Sequence, residues 1–141
     1  MLILRDFTKM KFRNRCKMIQ KNTFIEMEKI GGKYIMKKVA MISQTMRGKT
    51  EQEILQTREK AITALSKKEY EVLNTYFNDS EQDLKEKGFT NVPLYYLAKS
   101  LEEMSKCDAV YFCKGWKNAR GCKIEHKTAK AYGLNIVYEK D

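Results

Sequence analysis

From residue 36 onward, short apolar runs of strand length alternate with longer stretches of helical period. Lys38 to Ser43 (KVAMIS) is the first such run, and the polar turn Gln44 to Lys49 follows it. Thr50 followed three residues later by Glu53 is a capping box. It opens a helix whose apolar face carries Ile54, Ala61, Ile62 and Leu65. Tyr70 to Phe77 (YEVLNTYF) is rich in aromatic and β-branched residues and reads as a second strand. Asn78 to Asn91 is polar and charged, a loop with some helix. Pro93 suits the first turn of a helix running to Lys106, which buries Leu94, Leu97, Leu101 and Met104. Asp108 to Cys113 is a third strand and Lys114 to Gly121 a loop. A helix then runs to Tyr132, Gly133 stops it, and Leu134 to Tyr138 is the fourth strand.

Strands alternating with helices imply right-handed crossovers and a parallel sheet. The expected fold is α/β: a small Rossmann-like three-layer sandwich, with a mainly parallel four-stranded sheet and helices on both faces. Such sheets bind ligands outside the carboxyl ends of their strands. The loops after the first and third strands both leave that edge, and both have unusual composition.

Residues 1–35 show neither a helical nor a strand period over any length. They hold nine Lys or Arg against three acids, so most of the chain's net charge of +10 lies there. Gly31-Gly32 separates them from Met36-Lys37-Lys38 and the first apolar run. Residues 1–35 are therefore read as a basic N-terminal extension and 36–141 as the domain. Ile30-Gly31-Gly32-Lys33 can be encoded by a purine-rich stretch like a ribosome-binding site, which suggests that translation starts at Met36. The competing reading is a basic arm that binds nucleic acid.

Composition narrows the classes. With 43% hydrophobic and 33% charged residues, the 141-residue chain is ordinary for a globular domain. No run approaches the ~20 apolar residues of a membrane helix. Met1-Leu2-Ile3-Leu4 is too short for a signal peptide and ends at Arg5 and Asp6. A cytoplasmic protein without a membrane partner is expected. Four cysteines and one histidine lack the spacing of a zinc site, so neither metal nor cofactor is expected. Cys107 and Cys113 read as small buried hydrophobes. Nucleic acid is not the expected partner, because the domain carries no helix-turn-helix, zinc module or aromatic sheet motif.

Ser43 to Lys49 joins a hydroxyl, Met46, Arg47 and Gly48 just before a helix N-terminus, a plausible anion site although not a Walker loop. A solvated turn would look the same. In the second loop, Gly121 permits a close approach and Glu125 falls in the first turn or so of the next helix. There the helix dipole favours an ionised carboxylate, able to attack a sugar carbon. Glutamate is equally a common first-turn residue with no catalytic role.

The pattern VAMISQTMRGKTEQEI, followed by SLEEMSKCDAVYFCKGWKNARGCKIEHKTAKAYGLNIV, resembles an uncharacterised bacterial and phage family near the nucleoside 2-deoxyribosyltransferases. It is also similar to the 2′-deoxynucleoside 5′-phosphate N-hydrolases of that superfamily. The resemblance spans nearly all of residues 36–141. It implies that Glu125 is the nucleophile and that Met46, Arg47 and Gly48, with Arg120, hold a 5′-phosphate. Trp116 either stacks on the base or caps the core. Ser100 stands where related active enzymes carry an aspartate, so Asp79 or Asp83 would have to supply the second carboxylate; Asp108 begins a strand at the wrong end. The resemblance further implies a nucleoside or nucleotide ligand and a homo-oligomer. Two readings follow: an enzyme of N-glycosidic bonds, and a non-catalytic binder of nucleotides or nucleotide-derived signals.

Overall fold

The computed structural model describes residues 15–20 and 23–140, in two compact units that meet between Lys37 and Lys38. In the first unit, β1 (Arg15–Gln20), β2 (Thr23–Ile30) and β3 (Lys33–Met36) form an antiparallel sheet in the order β1-β2-β3. Residues 1–14 of the expected extension lie outside the described residues. The lack of period across residues 1–35 did not disclose these strands. Their backbone register pairs Arg15 with Glu28 and Lys17 with Glu26. Gly31 and Gly32, read above as a break, are the hairpin turn between β2 and β3. Their φ values of 57° and 83° are what a two-residue type I′ connection requires.

The second unit is the expected α/β domain. In chain order it contains β4 (Lys38–Ser43), α1 (Glu51–Ser66), β5 (Tyr70–Val72), α2 (Glu81–Glu86), α3 (Val92–Met104), β6 (Ala109–Phe112), α4 (Arg120–Ala131) and β7 (Asn135–Tyr138). All strand pairs are parallel, in the order β5-β4-β6-β7. The chain leaves β4 toward one edge and resumes at β6 on its other side. The carboxyl ends of β4 and β6 therefore flank the point where strand order reverses.

Alternation along the buried strands divides the core. Ala40 and Ile42 of β4, with Ala109 and Tyr111 of β6, pack against Ala61 and Leu65 of α1. Met41, Val110 and Phe112 pack on the other face against Met104 of α3 and Ala129 of α4. Leu65 is fully buried, and burial of such a side chain contributes about 1.5–3 kcal/mol.

The helix ends follow local rules. Thr50 accepts from Glu53 N–H, and Glu53 Oε2 accepts from Thr50 N–H at 2.7 Å, so the capping box is complete. Pro93 lies in the first turn of α3. Gly133, at φ 72°, lets Leu134 N–H reach Ala129 O at 2.9 Å and so closes α4.

Three expectations change. The second strand is Tyr70–Val72 rather than 70–77, because it is an edge strand that finds partners only at Lys38, Val39 and Ala40. Ile62 is 42% exposed, and Arg58 takes its expected place on the buried face of α1. Leu94 is 57% exposed, because α3 turns Ser100 inward beside the expected Met104.

Candidate functional site

Ser43 ends β4 on the face that packs against α3 and α4. It is buried, and its hydroxyl donates to Glu125 Oε2. Ser100, inward on α3, donates to Glu125 Oε1 at 2.5 Å. Each carboxyl oxygen thus has one hydroxyl donor, and three elements meet on a single side chain at the carboxyl end of β4. Glu125 itself is only 8% exposed.

α4 begins at Arg120, so Glu125 lies in its second turn rather than its first. The dipole is weaker there, and burial decides the outcome. Desolvation raises the Glu125 pKa above the ordinary carboxylate value, while the hydrogen bonds from Ser100 and Ser43 pull it part of the way back. The expectation of a carboxylate stabilised by the helix start is therefore corrected: the net shift of this group is upward, not downward.

The turn after β4 sits at the same end of the sheet. Lys49 N–H donates to Met46 O at 3.1 Å, and Gly48 between them has φ 77°, as the third position of a type II turn demands. Met46, Arg47 and Gly48 are all exposed. Arg120, the first residue of α4, is exposed as well. Among the described residues neither guanidinium has a hydrogen-bond or ion-pair partner. Neither touches Glu125. Gly121 has ordinary helical backbone, and a Cβ there would meet nothing within 4 Å, so the fold itself does not demand a glycine.

Trp116 lies in a short 3₁₀ turn, Trp116–Asn118. Its ring stacks on His126, with centroids 4.2 Å apart, and tilts against Phe112 at 5.3 Å. His126 Nε2 and the Tyr138 hydroxyl are 2.7 Å apart. Burial and the nearby Lys130 and Lys117 lower the His126 pKa, so the ring is neutral at pH 7. This cluster fastens the loop after β6 to α4 and β7.

Asp79 does not join Glu125. Its carboxylate takes Lys99 Nζ at 2.7 Å, its carbonyl accepts from the Tyr96 hydroxyl at 2.6 Å, and the Lys99 ammonium lowers its pKa. The residue moors the loop after β5 onto α3. Asp83 lies in the first turn of α2, where its N–H donates to the Ser80 cap. Asp108 stands at the amino end of β6 and accepts from Val39 N–H at 2.7 Å, the wrong end of the sheet as expected.

Sequence reasoning missed a second buried polar group, on the α1 face. Gln44, Arg58 and Thr75 are all buried. Arg58 donates to Gln44 Oε1 at 3.4 Å and to Thr75 Oγ1 at 3.3 Å. Gln44 Nε2 donates to Ile54 O, and the Thr75 hydroxyl donates to Ile42 O. The available signal was the spacing Ile54, Arg58, Ala61, Leu65, which places an arginine within an apolar stripe.

Two clefts open beside the loop after β6. One, of about 370 Å³, is lined by Phe112, Trp116, Lys117 and Tyr138 among others. The other, of about 410 Å³, lies between α1 and residues 113–118. Among the described residues no group of three His, Cys, Asp or Glu side chains is placed to hold a metal ion, and no helix is long and apolar enough to cross a membrane.

No curated protein and no solved structure matches the chain. A family model does, across residues 38–138, from the first residue of β4 to the last of β7. The chain belongs to that family, described as a domain of unknown function, DUF4406.

Proposed function

We propose that this domain acts on the N-glycosidic bond of a nucleoside or nucleotide, as a hydrolase or 2-deoxyribosyltransferase, with Glu125 as nucleophile. The observation that carries the reading is a carboxyl group buried at the strand-reversal point and gripped by hydroxyls from β4 and α3. Buried carboxyls with shifted pKa values concentrate at functional sites. In its anionic form Glu125 would attack C1′, and the bond to the base would break with its electron pair leaving on the base. Water or a second base would then displace the carboxylate from C1′. Ser43 and Ser100 orient the carboxylate and favour its ionised form against the cost of burial. Arg47 and Arg120, exposed at the same sheet edge, would meet a 5′-phosphate, and a nucleoside or nucleotide is the proposed partner. The homo-oligomer implied by the resemblance belongs to this reading.

The test is chromatography for free base after long incubation with deoxynucleosides and their 5′-phosphates. Base release by the wild type that vanishes in Glu125→Gln supports the reading. Release that persists undiminished in Glu125→Gln removes Glu125 from the mechanism.

The second reading, a binder that performs no chemistry, is favoured by one specific observation. Glu125 lines neither cleft, and each of its oxygens already has a donor. On that reading Glu125 joins β4, α3 and α4, and the wild type releases no base.

A further inference from the structure

Arg58 is a cation in an unusual position. It is only 5% exposed, and among the described residues no carboxylate pairs with it; its hydrogen-bond partners, Gln44 and Thr75, are neutral. Burial lowers its pKa, although an arginine remains charged at neutral pH. A buried charge without a counter-ion is costly.

Gln44 connects this charge to the 410 Å³ cleft, since it accepts from Arg58 and also lines the cleft wall. The same wall carries Lys49, Lys60 and Lys114, together with Thr57 and Asn118. The two acids there are already engaged. Glu53 closes the capping box of α1, and Glu139 accepts from Lys114 N–H at 2.7 Å. Neither Lys49 nor Lys60 is in an ion pair among the described residues. Cys113, on the cleft floor, is no nucleophile, because burial pushes its thiol up to about 12. Lys49 and Lys60 on the wall, with Arg58 behind Gln44, make the cleft polar and basic.

Its place in the sheet separates it from Glu125. Met41 and Ser43 face α3 and α4, whereas Ile42 and Gln44 face α1. We propose that the cleft between α1 and residues 113–118 binds the phosphate of a small phosphorylated molecule, with Lys49 and Lys60 as contacts and Arg58 acting through Gln44. Ammonium groups on flexible stems suit a compact tetrahedral dianion, and the charge of Arg58 favours a dianion over a monoanion. This site does not depend on what Glu125 does.

The test is calorimetric titration of the full chain with inorganic phosphate, with sodium chloride at matched ionic strength as reference. Saturable binding is expected, weakened about tenfold by Lys60→Ala and further when Lys49→Ala is added. Arg58→Gln should abolish binding and Arg58→Lys restore part of it. Should the Arg58 variants fail to fold, Lys60→Ala, on the solvent side of α1, decides. Lys85→Ala, an exposed lysine of α2 paired with Glu81, should leave phosphate affinity unchanged, so weakening in the cleft variants is not a general loss of positive charge. The proposal is overturned if phosphate binds no better than chloride, if Lys60→Ala has no effect, or if Lys85→Ala weakens binding as much as Lys60→Ala does.

Discussion

The Ser100 hydroxyl of α3 donates to Glu125 Oε1 of α4 at 2.5 Å, across 25 residues of sequence. This contact lowers the Glu125 pKa against the rise that burial causes. Removing it in Ser100→Ala leaves a buried carboxyl oxygen without its donor, a loss of about 1–3 kcal/mol in stability at neutral pH. The pKa of Glu125 should rise further, and any pH profile of base release should move to higher pH. On the proposed reading, Ser100→Asp would supply a second carboxyl beside Glu125. Base release faster than wild type is the expected result; equal or slower release would mean that Ser100 only positions Glu125. Urea unfolding and the chromatographic assay measure the two effects.

The raised pKa of Glu125 carries a definite sign for stability. Its folded pKa lies above the unfolded value near 4.5, so between the two the folded state holds more protons than the unfolded chain. Stability from this group is full below the unfolded pKa and falls as pH rises through the folded one. Glu125→Gln keeps the shape and removes the titration. The variant should gain stability over wild type as pH climbs from about 4.5, with a plateau above the folded pKa. Thermal unfolding at a series of pH values tests this, and a wild-type curve that matches the variant throughout would contradict it. If Glu125 is the proposed nucleophile, base release by the wild type should rise over the same window, because the anion would be the attacking form.

Arg47 stands exposed in the turn that Gly48 permits, with no protein partner among the described residues. If it meets a 5′-phosphate, Arg47→Ala should weaken 5′-nucleotide binding by roughly 1.5–3 kcal/mol. Nucleoside binding should barely change. Calorimetric titration with a matched nucleoside and nucleotide pair distinguishes this from a supporting role, in which both ligands would lose equally.

The boundary between the two units falls after Lys37, and the family match begins at Lys38. A chain started at Met36 should therefore fold by itself, with a cooperative thermal transition and the circular dichroism of an α/β domain. A non-cooperative transition would show that residues 1–35 contribute to the domain's core.

What the sequence determined by itself was local. Thr50 and Glu53, three residues apart, satisfy each other within one helical turn, so the start of α1 was legible without its surroundings. Pro93 and Gly133 mark helix ends through their own backbone limits. The apolar runs of β4, β6 and β7 are long enough to be strands whatever their neighbours, and their order with the helices implied the parallel three-layer fold. Tertiary structure decided everything that needed a partner distant in sequence. Residues 73–77 have strand character, but β4 pairs β5 only from Lys38 to Ala40. The strands of residues 15–36 became visible only in register with one another. Ser43, Ser100 and Glu125 were each named from the sequence, yet their convergence on one carboxyl group required β4, α3 and α4 to pack together. Arg58 stands in the apolar stripe of its own helix, but its partners Gln44 and Thr75 are distant in sequence, so only packing shows what a guanidinium is buried against there. The Glu125 pKa went the same way: helix position argued for a lowered value, and desolvation, a property of the packed interior alone, raises it.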